Sequence, residues 1–281
     1  ESMALLEEAG IKIPGGKRTL LVPARNFPVE VLFLRDDDIP ESVASGVADV
    51  GIVGLNEVME KRCPVGILKK LGFGKCRLSL AIPQDIDYQD RNWFSGKKIA
   101  TSYPGILSDY LHKNGIVSDI HVITGSVART GDQNIPYAGR TGPGIRLADA
   151  IFDIVSSGST LVSNRLKEVE TVVESEAVLI GTDSISPEKR GILDELLFRF
   201  DSVQAADDKK YILMNVPQKK LNDVLSVLPG IKSPTVMPLA DKEWCSVHTV
   251  LDEKCFWEII NRLKTAGAEG ILVLDIEKMI L

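Results

Sequence analysis

The chain has 281 residues, 44% hydrophobic and 26% charged, with a formal net charge of −6. That size and balance predict a soluble globular protein of two or three domains with ample core. With no dense Lys/Arg cluster and no run of about 18 apolar residues, nucleic-acid binding and a membrane-spanning helix are not expected. In chain order, residues 1–10 read as mid-helix with Gly10 as the stop, which implies a strand before them. Residues 19–23 and 29–34 look like paired strands. Ile39-Pro40-Glu41-Ser42 opens a short helix ending at Gly46, 48–53 is a buried strand, and a helix from Leu55 to Lys61 follows. Strands at 76–82 and 97–101, a helix from Ser102 and Pro104 to Gly115, and a strand at 120–123 come next. Residues 147–151 read as a short helix running into a strand at Asp153, and 169–173 and 177–180 are further strands. The last part reads βαββαβ: strand 210–216, helix 218–228, strands 235–239 and 244–251, helix 253–266 and strand 270–276, with Asp207-Asp208-Lys209 as a linker. That order is the split βαβ motif of ferredoxin-like domains. The alternation elsewhere predicts α/β architecture.

Four cysteines (Cys63, Cys76, Cys245, Cys255) lack CxxC spacing, and three histidines (His112, His121, His248) form no HExxH pattern. Zinc is therefore not expected, a hydrolytic triad is poorly supported, and scattered thiols suit a reducing, cytoplasmic compartment.

One segment points to a ligand. Asp153-Ile154-Val155 is a short apolar strand that breaks into Ser156, Ser157, Gly158 and Ser159 and re-enters a helix through Thr160 and Leu161. Small residues let backbone N–H groups converge, and a helix start adds partial positive charge, which suits a phosphate. An acid at the strand's start could hold ribose hydroxyls or a metal ion. An ordinary strand–turn–helix corner with Ser and Thr caps is the competing reading. The same D-[IV]-x-[IV]-x-G pattern occurs at 49–54 and 153–158, which fits two similar lobes around a cleft.

Six segments in register carry a family resemblance. They are Leu34-Arg35-Asp36-Asp37-Asp38-Ile39-Pro40, Ala48-Asp49-Val50-Gly51-Ile52-Val53-Gly54, Cys76-Arg77-Leu78-Ser79-Leu80-Ala81, Lys98-Ile99-Ala100-Thr101-Ser102-Tyr103-Pro104, the 153–161 segment, and Leu166-Lys167-Glu168-Val169-Glu170. Over nearly its whole length the chain resembles the ATP phosphoribosyltransferases, and Ser233-Pro234-Thr235 and residues 267–276 resemble the regulatory domain of the long form.

The resemblance implies two periplasmic-binding-protein-like catalytic lobes, at 1–82 with 178–205 and at 83–177, plus a ferredoxin-like regulatory domain at 207–281. It implies transfer of the phosphoribosyl group of phosphoribosyl pyrophosphate to N1 of ATP with Mg²⁺ bound, inhibition by L-histidine, and homodimers and homohexamers. Ser156, Ser157, Gly158, Ser159, Thr160 and Leu161 would then hold the 5′-phosphate, and Asp153 would be the catalytic residue, its carboxylate facing ribose hydroxyls or metal.

Arg35, Arg77, Asp49 and Tyr103 are further substrate candidates. Arg35 could instead pair with the acidic run beside it, Tyr103 could be a core aromatic, and Asp49 a loop hydrogen-bonder. Around Asn215, Ile231, Thr235 and Gly270 the resemblance implies the histidine site.

The sequence departs from the family in two places. The family's opening strand and its Lys/Gly/Arg loop are not seen before Glu1. After Gly125-Ser126-Val127 the family's Glu is missing, and a longer loop at 128–146 runs through Arg129, Asp132, Arg140 and Arg146 instead. The second departure keeps an alternative open: a two-lobed binding or regulatory protein that does no chemistry.

Overall fold

In the computed structural model the described residues are 1–15, 20–123, 148–229 and 234–281. The chain divides into two compact units: one is formed mainly by residues 28–190, the other by 3–13, 25–27 and 191–281.

The first unit holds two sheets. The smaller has the strand order Val50–Gly54, Ala177–Gly181, Gly66–Lys70, all antiparallel. The larger has the order Asp119–Val122, Lys98–Thr101, Ala150–Val155, Cys76–Pro83, Leu166–Ser175. Its first three strands run parallel and the last two antiparallel to their neighbours. The chain crosses between the sheets twice, at 71–75 and at residue 176. Leu71 donates to the Ala177 carbonyl and Ala177 to that of Phe73, both at 2.9 Å. These adjacent crossings tie two lobes together as a pair of connections.

The central strands Lys98–Thr101, Ala150–Val155 and Cys76–Pro83 of the larger sheet are largely buried on both faces, as the near-continuous apolar run from Leu78 to Ile82 requires. One face packs Leu80, Ile82, Ile99 and Phe152 against helix Pro104–Lys113 through Ile106, Leu107 and Leu111. The other packs Ala81, Ile151 and Val155 under Leu161 of the short helix Ser159–Ser163. Each fully buried Phe, Leu or Ile contributes about 1.5–3 kcal/mol relative to exposure.

The C-terminal part of the second unit is an antiparallel sheet in the order Thr235–Pro238, Trp244–Asp252, Lys209–Pro217, Glu269–Asp275. Helices Leu221–Val227 and Glu253–Ala266 cover one face through Val224, Phe256, Ile259 and Leu263, which meet Ile212, Met214 and Val216. With the element order βαββαβ this is the ferredoxin-like arrangement expected from the sequence, and the whole chain is α/β as expected.

The details differ in five places. Residues 148–151 are not helical: Ala150–Val155 is strand from the outset, because Ile99 and Ala100 pair with Ala150 and Ile151, and Asp149 Oδ2 accepts the Lys98 N–H at 2.9 Å. A short apolar run fits either element by pattern alone, and tertiary pairing decided it. Cys76–Pro83 lies at the heart of the larger sheet, so the smaller lobe gives up the chain before residue 76 instead of at 82. Asp207 and Asp208 form a tight turn with Asp208 at φ 57°, joining helix Pro187–Ala206 directly to the next strand, where a linker was expected. That 20-residue helix and the strand Gly66–Lys70 escaped the sequence reading. Leu193, Leu196 and Phe200, buried at helical spacing after Pro187, were the signal for the helix.

Candidate active site

The larger sheet places its chemistry on one face. Ser79 and Asp153 are direct cross-strand partners, and so are Arg77 and Val155. In an antiparallel pair, opposed residues share a face and i, i+2 residues share it too. Arg77, Ser79, Asp153 and Val155 therefore project together, toward the side covered by helix Ser159–Ser163. Strand Leu166–Ser175 adds Glu168, opposite Ala81, after two register shifts.

The strand Ala150–Val155 ends at exposed Ser156 and Ser157, and Gly158 turns the chain with φ 76° as the N-cap of helix Ser159–Ser163. This left-handed conformation favours glycine. Ser157 and Ser159 hydroxyls are 2.9 Å apart, and Ser157 Oγ accepts the Ser159 N–H at 3.4 Å. The first amides of a helix have no intrahelical acceptor, so the turn presents N–H groups and hydroxyls to solvent while Leu161 anchors it beneath. Asp153 is 6% exposed, and its Oδ1 accepts the Ile154 N–H at 2.8 Å.

Beside the turn, Arg77 donates from Nε and Nη2 to the two Glu168 oxygens, each at 2.6 Å, and from Nη1 to the Ser156 carbonyl at 3.2 Å. Ser79 Oγ and Thr171 Oγ1 both donate to Glu168 Oε1, at 2.7 and 3.1 Å. Hydrogen bonds from Arg77, then Ser79 and Thr171, outweigh burial and hold the Glu168 carboxyl at about 2, well below its ordinary 4.5.

The repeated corner holds only in outline: Gly54 and Gly158 are both helix N-caps, but Gly54 is extended at φ −65° while Gly158 is left-handed at φ 76°. The two acids differ. Asp49 is exposed and takes the Lys189 amine at 2.8 and 2.9 Å, so it is ion-paired away from the Asp153 face.

Arg35 is 83% exposed at its side chain and sits 3.3 Å from Asp37, the pairing that competed with a phosphate role. Tyr103 is 9% exposed within the core of the larger lobe. Its hydroxyl donates to Glu57 at 3.0 Å and receives Asn56 Nδ2 at 3.3 Å. Burial, then the Glu57 charge, pushes the phenol up; burial likewise raises Glu57.

Asp153, the 156–161 turn and Arg77 thus come together, whereas Arg35 and Asp49 lie in their own ion pairs. Glu168 and Ser79 went unassigned in the sequence. Strand alternation, which sets Arg77 and Ser79 on one face, was the available signal.

Among the described residues no three His, Cys, Asp or Glu side chains converge as a metal cage. Mg²⁺ commonly uses one or two carboxylates with the remaining positions filled by water and substrate phosphates, so Asp153 beside the turn is a compatible donor.

In the C-terminal sheet, Asn215 pairs with Ser246 and Thr235 with His248, on the face away from both covering helices. His248 is bracketed there: its Nδ1 lies 2.6 Å from the Tyr211 hydroxyl and its Nε2 2.9 Å from Ser246 Oγ. Neither His248 nor Tyr211 was singled out by sequence. Gly270 has φ 55°, and a Cβ there would come 3.3 Å from Asn215 Nδ2. Ile231, and the loop residues Arg129, Asp132, Arg140 and Arg146, lie outside the described residues.

No helix among the described residues is long and apolar enough to cross a membrane.

Comparison with known proteins agrees along the chain. A family model described as ATP phosphoribosyltransferase matches residues 35–202, and one described as the HisG C-terminal domain matches 206–278. The ATP phosphoribosyltransferase of Bacteroides fragilis is 66% identical over 281 residues, covering all of this chain and 95% of the relative. That of Cytophaga hutchinsonii is 54% identical over 280 residues, covering all of this chain and 94% of the relative. A solved ATP phosphoribosyl transferase (HisG:HisZ) complex from Thermotoga maritima superposes with a TM-score of 0.56 at 22% identity, over 71% of this chain and 92% of that one, a likeness of fold.

Proposed function

Because this chain belongs to the ATP phosphoribosyltransferase family, and so joins the phosphoribosyl group of phosphoribosyl pyrophosphate to ATP in histidine biosynthesis, we propose that Asp153 and the 156–161 turn are its phosphoribosyl pyrophosphate site. The single observation that carries this reading is the turn itself: a left-handed Gly158 between exposed serines, opening a helix beside a buried carboxylate. In the reaction, N1 of ATP bonds to ribose C1 as the bond from C1 to pyrophosphate breaks. The electron pair leaves with pyrophosphate. Such a displacement passes through an oxocarbenium-like state and needs positioned reactants more than a nucleophilic side chain.

Backbone N–H groups of residues 157–160 grip the 5′-phosphate, and Asp153 accepts from the ribose hydroxyls. Mg²⁺, when bound, supplies charge neutralisation of the departing pyrophosphate, with Asp153 as its protein donor. A role without chemistry is not favoured, since the full-length relatives at 54–66% identity are named as transferases.

Three further elements belong to the same reading. L-Histidine binds the uncovered sheet face near Asn215, Thr235 and Gly270, supported by the polar ring around His248. Copies of the chain assemble as dimers and hexamers, supported by the exposed Leu272 and Leu274 on the edge strand. The compartment is cytoplasmic, which the free thiols of Cys63, Cys76, Cys245 and Cys255 support.

Gly158→Asp tests the site. The new side chain is strained at φ 76° and repels a phosphate. Calorimetric titration with phosphoribosyl pyrophosphate and Mg²⁺ should show affinity reduced at least about 100-fold, as expected when a like charge replaces a phosphate contact. Unchanged affinity would remove the turn from the site.

A further inference from the structure

We propose that Glu168 is a positioning residue for phosphoribosyl pyrophosphate: it fixes the Arg77 guanidinium, which in turn holds the Ser156 carbonyl and so the entry of the binding turn. The inference rests on the reading of 156–161 as that turn.

The geometry is a relay across three strands. Arg77 belongs to Cys76–Pro83, Ser156 directly follows Ala150–Val155, and Glu168 belongs to Leu166–Ser175. The Arg77 fork meets both Glu168 oxygens at 2.6 Å, leaving Nη1 to meet the Ser156 carbonyl at 3.2 Å. A planar guanidinium with two donors fixed has its remaining donors fixed as well. Its third bond therefore holds Ser156 at a set place. Ser79 and Thr171 brace the carboxylate from the other side.

Glu168 reaches this place through irregular pairing. The register with Cys76–Pro83 shifts between Leu78 and Ser79 and again between Leu80 and Ala81. Irregularities of this kind re-aim side chains and cluster near sites. Side-chain exposures of 35% for Arg77 and 24% for Glu168 leave the pair only partly screened by water.

Two other roles make different demands. If Arg77 itself bound phosphate, releasing it from Glu168 would leave substrate affinity unchanged or improved. If the pair only stapled strands, its loss would weaken both substrates and stability alike.

The test is steady-state kinetics of the full chain with Mg²⁺, varying each substrate in turn, on Glu168→Gln and Arg77→Lys. Lysine keeps the charge and loses the fork. Each variant should raise the KM for phosphoribosyl pyrophosphate about tenfold, the scale of one charge-assisted hydrogen bond, and leave the KM for ATP within about twofold. Calorimetry should show the same weakening for phosphoribosyl pyrophosphate.

An unchanged KM for phosphoribosyl pyrophosphate in a folded Glu168→Gln protein overturns the role, as does an equal rise in both KM values. Glu168→Asp, which keeps the charge and shortens its reach to the Arg77 fork, decides the matter if Glu168→Gln does not fold. Gly158→Asp separates the two ideas. If it leaves binding intact, the turn reading fails; if it abolishes binding while Glu168→Gln does nothing, only the positioning role fails.

Discussion

At the scale of single residues, Asp153 carries the strongest demand. It is buried, sits on the same sheet face as Arg77 and Ser79, and accepts the Ile154 N–H at 2.8 Å. Asparagine can keep that acceptor while removing the charge. Asp153→Asn should therefore fold normally by circular dichroism and lose at least about 100-fold in kcat/KM, the scale of a lost electrostatic group at a reacting centre. Glu168 gives a pH prediction. Its carboxyl is depressed from 4.5 to about 2 by Arg77 first. A depressed folded-state value means that its stabilisation is complete above the unfolded value and is lost as pH falls through the folded one. The difference in urea midpoint between the native protein and Glu168→Gln should be constant above about pH 5 and shrink toward pH 2. A gap that widens on acidification would contradict the pairing. Sequence made Asp153 and its turn legible because strand, small residues and helix start follow one another locally. It left Arg77 open, because its partner Glu168 lies on a strand 91 residues away, and no local spacing reports that distance.

Elements show where local pattern suffices and where packing decides. Helix Glu253–Ala266 ends where its glycine, Gly267, predicts, and helix Leu55–Lys61 begins after Gly54 but is closed by Arg62 at φ 53° instead of a glycine. Residues 148–151 did not follow their pattern, because parallel pairing with Lys98–Thr101 recruited them as strand. The joining of the two lobes was not legible either. Glu60, on helix Leu55–Lys61, accepts the Gly105 and Ile106 N–H groups at 2.8 and 2.9 Å, capping helix Pro104–Lys113 of the other lobe. Arg62 adds bonds to the Gly105 carbonyl at 3.0 Å and to Asp109 at 2.7 Å. The N-cap residue of that helix, Tyr103, supplies no side-chain cap of its own. Glu60→Ala should thus lower unfolding stability by about 1–2 kcal/mol, the range for losing a cap, measured by urea denaturation. Equal midpoints for variant and native protein would show that solvent satisfies these amides as well as Glu60 does.

For the molecule as a whole, the α/β class was readable from alternation and the ferredoxin-like domain from the βαββαβ order, whereas the pair of lobes came from the family resemblance and the repeated D-[IV]-x-[IV]-x-G pattern. The polar ring of Tyr211, Ser246 and His248 was not readable, since it forms only when strands Lys209–Pro217 and Trp244–Asp252 pair. If L-histidine acts on that face, Asn215→Ala should raise the histidine concentration for half-inhibition about tenfold, the scale of one lost polar contact, and leave uninhibited turnover unchanged. Inhibition curves that superpose for variant and native protein would move the effector elsewhere. The decisive measurement is direct: ATP, phosphoribosyl pyrophosphate and Mg²⁺ mixed with the full chain, with products separated and identified. Phosphoribosyl-ATP and pyrophosphate should appear in equal amounts and vanish in Asp153→Asn. No product at saturating concentrations, with both substrates bound, would contradict the enzyme described here.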